Sequence, residues 1–378
     1  MPHSARVVVY VSATGTPLRR AHQRIMLEED AKTIARIKDC EFAGYYSKEL
    51  ASSEGLFFVP DQTLLGEEAE TLGICGPEDL FGGIVPHRFV ATKSISHQLV
   101  SSSAARPVGW SKAFSEVIGD CVLPGYTAFD SCDARLAAER MLQAHGSIRV
   151  KRTRCSGGRG QVVLQQMHEL ERLLSEIPNS EIATYGLVLE ENLREVKTLS
   201  VGRINLNGFM LSYYGKQRKT KDNEGNVVYG GSDLVCVPGS WEDLLTVVFE
   251  ENVRFGVLQA RTYDEAMAAY PGFMASRRNY DIGQGFDAQG AWRSGVFESS
   301  WRIGGASPAE LLAMAAFLEE PDLSMLEACH YEKFGQVQDI PTNSTVHFRG
   351  DDPQAGPVVR YTTLTRRRIP PSGRGGLK

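Results

Sequence analysis

Residues 6–12 read RVVVYVS, with five apolar residues in succession and no polar position among them. A strand without alternation must be covered on both faces, and the usual solution is a parallel sheet flanked by helices. The run is far too short to cross a membrane, which takes about 20 apolar residues. It reads as a strand and not as a signal peptide. A helical segment, TPLRRAHQRIMLEEDAKTIARI (16–37), and a second apolar run, GLFFVP (55–60), complete a strand–helix–strand unit. A small α/β lobe over residues 1–90 is therefore expected. The loop SATGTP (12–17) has neither the G-x-G-x-x-G nor the P-loop spacing, so it reads as an ordinary turn.

With 378 residues the chain exceeds one simple core and predicts two or three lobes. A net charge of −5 does not favour nucleic acid as the main partner, and leaves room for a local cationic pocket. No apolar run approaches a membrane span. The seven cysteines are scattered and form no C-x-x-C pair. That pattern fits reduced thiols and a cytoplasmic location better than a disulfide framework or a zinc site.

Further along, SCDARLAAERMLQAHG (131–146) is a helix with Ala134, Ala137, Ala138 and Met141 on one face and Gly146 to end it. SIRVK (147–151) and QVVL (161–164) form a hairpin around CSGGRG (155–160). MHELERLLSEI (167–177) is a helix stopped by Pro178, and YGLVLEENL (185–193) is a strand with its exit. KTLSVGRINLNGFMLSYYG (197–215) predicts antiparallel strands turning at Asn207-Gly208. Residues 213–234 read as a polar, glycine-rich loop suited to substrate contact or a lid. A helical region around 241–269 is followed by a second hairpin, 278–302, turning at Asp287 to Gly290. The next helix is expected to start with Ser307 as N-cap, Pro308 at N1 and Glu310 closing a capping box. Residues 331–378 are poor in pattern and end in a loose basic tail.

Three stretches could carry chemistry. Lys151 ends an apolar strand just before Gly157, Gly158, Arg159 and Gly160. Such glycines let backbone N–H groups turn toward an anion, with the lysine as a point charge for phosphate. A plain flexible hairpin tip is the equal alternative. In LVLEEN (187–192) an apolar strand ends in Glu190 and Glu191, where free backbone groups can bond a purine rim; alone, it reads rather as a solvated strand end with two surface glutamates. In the 278–302 hairpin, Asp281 and Glu298 lie on opposite arms, and pairing can bring them to one face. Two carboxylates that close call for a cation, and Mg²⁺ suits oxygen ligands and phosphates. Arg302 and Arg278 would neutralise a transferring group or a substrate carboxylate.

Taken in order, these pieces resemble the ATP-grasp superfamily. Its members carry a lysine, a gGrG loop, a strand ending in glutamate, and then D…E-x-N-x-R followed by glycine and a helix. Here the counterparts are Lys151, GGRG (157–160), LEENL (189–193), Asp281 and ESSWRIGG (298–305). VATKSISHQLV (90–100) resembles the segment that opens the module, with Lys93 as its lysine, and VLPGYTAF the strand after it. Residues 5–320 also resemble an uncharacterised bacterial family of ATP-grasp type, a domain of unknown function.

The resemblance implies an α/β (α+β) chain with the ATP-grasp fold. Its parts would be an N-terminal Rossmann-like lobe (1–90), an ATP-grasp module (91–180 and 181–320, the latter with the metal site) and a C-terminal extension (321–378). It implies that Lys93 and Lys151 contact ATP phosphates and that Gly157, Gly158, Arg159 and Gly160 close over them. Glu190, Glu191 and Leu193 would line the adenine hinge. Asp281, Glu298 and Ser300 would hold Mg²⁺, and Arg302, with Arg278 as second candidate, would face the acyl-phosphate. Ser300 stands where the family has asparagine. Lys197 and Thr198 stand where it has a ribose-holding Glu or His, with Glu195 nearby. The implied activity is an ATP-dependent ligase joining a small-molecule carboxylate to an amine or thiol, with no nucleic acid or membrane partner. A homodimer is compatible with it. A small-molecule kinase of the same fold and a non-catalytic nucleotide-binding regulator stay open.

Overall fold

The structure is a computed structural model that describes residues 6–12, 20–50, 55–154, 160–336 and 339–367. Most of the SATGTP loop, residues 155–159 and the basic tail beyond 367 lie outside the described residues.

The N-terminal unit is α/β, as the unbroken apolar runs require. Strands β1 (Arg6–Tyr10), β2 (Glu41–Tyr45) and β3 (Leu56–Pro60) form a parallel sheet of order β2-β1-β3, crossed by helix α1 (Ala21–Lys38). Next come β4 (Leu64–Leu65), α2 (Gly66–Thr71) and β5 (Gly83–Val85).

The second unit holds α3 (Lys112–Val117), β6 (Gly125–Ala128), α4 (Ser131–His145), β7 (Ile148–Arg152), β8 (Gln161–Leu164), α5 (Met167–Ser175), α6 (Asn179–Tyr185) and β9 (Leu187–Glu191). Its antiparallel sheet has the order β6-β9-β7-β8. Gly146, at φ 72°, caps α4 as its position predicted.

The third unit is built on a sheet of eight strands. Its first strands are β10 (Arg194–Leu206), β11 (Phe209–Lys221) and β12 (Val227–Pro238), followed by helices α7 (Trp241–Val247) and α8 (Glu251–Ala268). Then come β13 (Met274–Ala275), β14 (Arg277–Phe286), β15 (Trp292–Ser300), α9 (Ser307–Glu319), β16 (Met325–Phe334), β17 (Ser344–Asp352) and β18 (Gly356–Arg367). The antiparallel order is β15-β14-β10-β11-β12-β16-β18-β17. The turn at Asn207-Gly208 has positive φ at both residues, 55° and 79°, the geometry that Asn-Gly favours in a two-residue hairpin. Among the described residues, no helix is long and apolar enough to cross a membrane.

Three local readings are corrected. Residues 213–234 are not a loop: β11 and β12 pair almost throughout, from Leu211 with Pro238 to Lys221 with Val227. Polar side chains there alternate along strands and do not break them. Residues 325–367 add three strands to the same sheet, although their sequence is weakly patterned. They are held against the N-terminal unit by buried Asp352, which accepts from the His22 backbone N–H at 2.9 Å and meets the His22 ring at 2.8 Å. Lastly, α9 has no capping box, and Ala306 is its N-cap.

Glu310 is instead the counter-ion of Arg277. Arg277 Nε and Nη2 donate to its two carboxylate oxygens at 2.7 Å each, and Tyr213 Oη donates to Oε1 at 2.6 Å. Arg277 is 1% exposed and Glu310 0%. Removing one partner from such a pair strands a buried charge, whereas replacing both with apolar groups does not. Glu310→Ala is expected to lower stability by roughly 3–5 kcal/mol, read from the urea midpoint. The double change Arg277→Met with Glu310→Leu is expected to restore most of that loss.

Candidate active site

Strand β7 carries Lys151 and β9 carries Glu190 on the face opposite the α4–α5 core. In register, Lys151 sits across from Val188 and Arg149 from Glu190. Lys151 Nζ makes a short ion pair with Glu190 Oε1, and its ammonium lies 4.2 Å from the Phe297 ring centroid. Both charged groups are 1% exposed. Burial lowers the Lys151 ammonium from its usual range, and Glu190 opposes that shift. Glu190 Oε2 also faces His97 Nε2 at 3.8 Å. Burial holds the His97 ring down at about 4, so it is neutral at pH 7.

Glu191, the next residue, points the other way, as strand alternation demands. Its carboxylate meets His145 at 3.0 Å and Arg293 at 3.5 Å. Only its backbone is left to face the hinge. Leu193 is buried in the bend between β9 and β10. Gly160, at φ 66°, turns the β7–β8 hairpin, and its carbonyl accepts from Arg152 N at 2.9 Å. Gly157, Gly158 and Arg159 lie outside the described residues.

The hairpin β14–β15 sets the second half of the site. Asp281 stands opposite Glu298, and Asn279 opposite Ser300, with a register shift just after the first pair. All four are on the face turned toward α9 and the N-terminal unit. Burial, and then the facing Glu298, raise the Asp281 carboxyl to about 6, against hydrogen bonds from Gln217, Asn279 and Ser200. Lys93, 3% exposed in a 3₁₀ turn, reaches Glu298 Oε2 at 3.2 Å across 205 positions of sequence. Arg302 follows in the bend after β15, with Nη1 donating to the Ile303 carbonyl at 2.8 Å. Burial lowers its guanidinium, and Glu298 opposes this.

The structure thus brings Lys93, Lys151, Glu190, Asp281, Glu298 and Arg302 to one cleft. It does not bring Arg278 there. Strand alternation turns that side chain to the α8 face, where it meets Asp264 Oδ1 at 3.3 Å and the Phe273 ring. Its neighbour Arg277 faces the site side, where it donates to the Ser300 and Arg302 carbonyls. Sequence reasoning missed His97, Asn279, Ser200 and Gln217. No local pattern marks them, because each is recruited by register from a different strand or turn.

Asp281 and Glu298 are a facing pair of carboxylates, oxygen donors of the kind that a divalent cation takes. Among the described residues, no group of three or more His, Cys, Asp or Glu is placed to hold a metal unaided. Such a cation would need further oxygens, as Mg²⁺ takes from phosphates.

A carboxyl raised on folding stabilises the protein only while it is protonated. That contribution is full below the unfolded value of 3.8 and is lost as pH rises through about 6. Asp281→Asn is therefore expected to be more stable than wild type at pH 7, by on the order of 2 kcal/mol, and to converge with it near pH 4. Urea midpoints of both proteins between pH 4 and 7.5 measure this; parallel curves would contradict it.

A sheet that carries Lys151 and Glu190 thus meets a larger sheet that carries a carboxylate hairpin. Among solved structures, the chain is similar to D-alanyl-alanine synthetase A from Vibrio cholerae, at 13% identity and TM-score 0.48 over 82% of this chain and 93% of that one. It is also similar to phosphoribosylglycinamide synthetase from Anaerococcus prevotii, at 10% identity and TM-score 0.49 over 96% and 94% of the two chains. D-alanine–D-alanine ligase from Bacillus anthracis matches at 12% identity and TM-score 0.44, over 82% and 92%. No curated protein matches the chain in sequence. One family's sequence profile matches residues 10–362, nearly the whole length, and the chain belongs to that family, described as protein of unknown function DUF3182.

Proposed function

We propose that the chain is an ATP- and Mg²⁺-dependent ligase that activates a small-molecule carboxylate for attack by an amine or thiol. The observation that carries the proposal is the Lys93–Glu298 contact, with Arg302 beside it. It joins the cationic half of the cleft to the carboxylate half, with Lys93 buried and Glu298 half-buried.

Lys93 and Lys151 bind the phosphates of ATP. Glu190 and the backbone from Glu191 to Leu193 meet the base. Asp281 and Glu298 would hold Mg²⁺, which would supply neutralisation of the phosphate oxygens. A carboxylate oxygen of the substrate attacks the γ-phosphorus, the bond to ADP breaks, and an acyl-phosphate forms. Arg302 faces that carboxylate and its phosphorylated form and offsets their charge. The amine then attacks the acyl carbon, inorganic phosphate leaves, and the amine gives up a proton. No side-chain nucleophile takes part, so the residues act by positioning and by charge.

Thermal unfolding with and without Mg²⁺-ATP tests the proposal. At about a hundred times Kd a bound nucleotide stabilises the fold by roughly 2.7 kcal/mol, a rise of roughly 3 °C for a chain this long. The Mg²⁺-dependent part of that rise is expected to vanish in Glu298→Ala. Absence of any shift in the wild type with any nucleotide would sink the proposal. ADP release that needs both a carboxylate and an amine then separates a ligase from a kinase.

A further inference from the structure

We infer that Asp61 is the base for the second half of the reaction. Its carboxylate receives the incoming nucleophile as an ammonium ion and takes a proton from it, so the nucleophile is an amine and not a thiol. The inference rests on the ligase reading above.

Asp61 directly follows β3, at the C-terminal edge of the parallel sheet, the edge at which such sheets bind ligands. Two backbone contacts hold it in place. Its N–H donates to the Tyr10 carbonyl at 3.0 Å, and its Oδ1 accepts from Ser12 N at 2.9 Å. The residue is 1% exposed, yet Oδ2 has no hydrogen-bond partner among the described residues. A buried carboxylate oxygen without a donor is costly, and a ligand that brings one relieves the cost. The charged and titratable groups around Asp61 are Arg302 from the bend after β15, Glu68 from α2, Tyr10 from β1 and Tyr45 from β2. Burial raises its carboxyl above the ordinary range, and the Ser12 N–H and then Arg302 oppose the shift. A raised carboxyl is the better proton acceptor.

Gly82 sets where this carboxylate lies. A Cβ there would stand 3.3 Å from the Trp301 carbonyl and 3.7 Å from the Pro60 ring, so the end of β3 and the bend that carries Arg302 meet at this glycine. Arg302 donates to the Ile303 carbonyl and leaves Asp61 Oδ2 unbonded, although each group feels the other's charge. The cation that faces the acyl-phosphate thus has an anion beside it, and an attacking group fits between them. An ammonium ion brings both N–H donors and positive charge to Oδ2. A thiol brings one weak donor, and a thiolate is repelled. Burial disfavours both charges of the ammonium–carboxylate pair, so a proton passes from nitrogen to Oδ2. The neutral nitrogen attacks the acyl carbon, the bond from that carbon to the phosphate oxygen breaks, and a second N–H proton leaves with inorganic phosphate.

Hydroxylamine is neutral at pH 7 and traps acyl-phosphates as hydroxamates, so it attacks without first losing a proton. Hydroxamate formation with Mg²⁺-ATP is screened over the amino acids and simple mono- and dicarboxylic acids. With the acid so found, phosphate release is measured with n-propylamine and the amino acids as ammonium nucleophiles, and with 2-mercaptoethanol as the thiol. The best amine is expected to outrun the thiol in the wild type. Asp61→Asn is expected to lower the ratio of the amine rate to the hydroxylamine rate about a hundredfold. An unchanged ratio, whether or not both rates fall, means a structural role and overturns the assignment. A thiol that reacts as fast as any of the amines overturns it too. Should Asp61→Asn not fold, Asp61→Ser takes its place. A wild-type protein that forms no hydroxamate from any of these acids fails at the ligase reading itself, which separates the two failures.

Discussion

The buried pair between Arg277 and Glu310 is the joint on which the site turns. Its carboxylate comes from α9 and its guanidinium from the first residue of β14. The same guanidinium also gathers the carbonyls of Ser300 and Arg302. One side chain therefore fixes where the hairpin ends, how the chain leaves it, and where α9 begins. Desolvating two charges is expensive, and an apolar pair would hold the helix as well. An apolar pair could not reach four backbone and side-chain oxygens at once. That geometry, more than stability, is what the pair contributes.

Alternation along β14 does the remaining sorting. Arg277, Asn279 and Asp281 share the face toward the cleft, while Arg278, Tyr280 and Ile282 share the face toward α8, where Asp264 accepts from both Arg278 and Tyr280. A slip of one residue would exchange the two sets completely. The acidic and basic residues of this strand are thus not interchangeable, although they are neighbours in sequence.

The same fact explains what could be read from the chain and what could not. Lys151, Glu190, Asp281, Glu298 and Arg302 each sit in a local pattern of apolar strand, polar end and glycine, and the order of those patterns carried the fold. Choosing between Arg277 and Arg278 needs the phase of a strand, which a mixed sequence such as RRNYDIGQGF does not reveal. Glu310 has the spacing of a capping residue, yet a buried arginine claims it, a partner 33 positions away. Strands β16 to β18 have weak internal patterns because much of their stabilisation comes from outside, through β12, α1 and α9. His97 and Asn279 were invisible for a similar reason: each gains its role from a neighbour distant in the chain.

The distribution of apolar cores divides the molecule along an unexpected line. Val7, Val9, Leu27 and Phe57 of the N-terminal unit share one core with Leu234 and Cys236 of the large sheet and Phe317 of α9. Strand β5 is hydrogen-bonded to β13 as well, so the first and third units are laced together twice. The sheet of β6 to β9 packs instead on its own core of Ala134, Ala138, Leu170 and Leu174. In mechanical terms the chain is a two-piece clamp whose jaws are not the sequential lobes. The heavy jaw joins the N-terminal unit to the large sheet and holds Asp281 and Glu298, and the light jaw, the sheet of β6 to β9 with α4 and α5, bears Lys151 and Glu190. A motion of one jaw against the other would then leave the core shared by the N-terminal unit and the large sheet undisturbed.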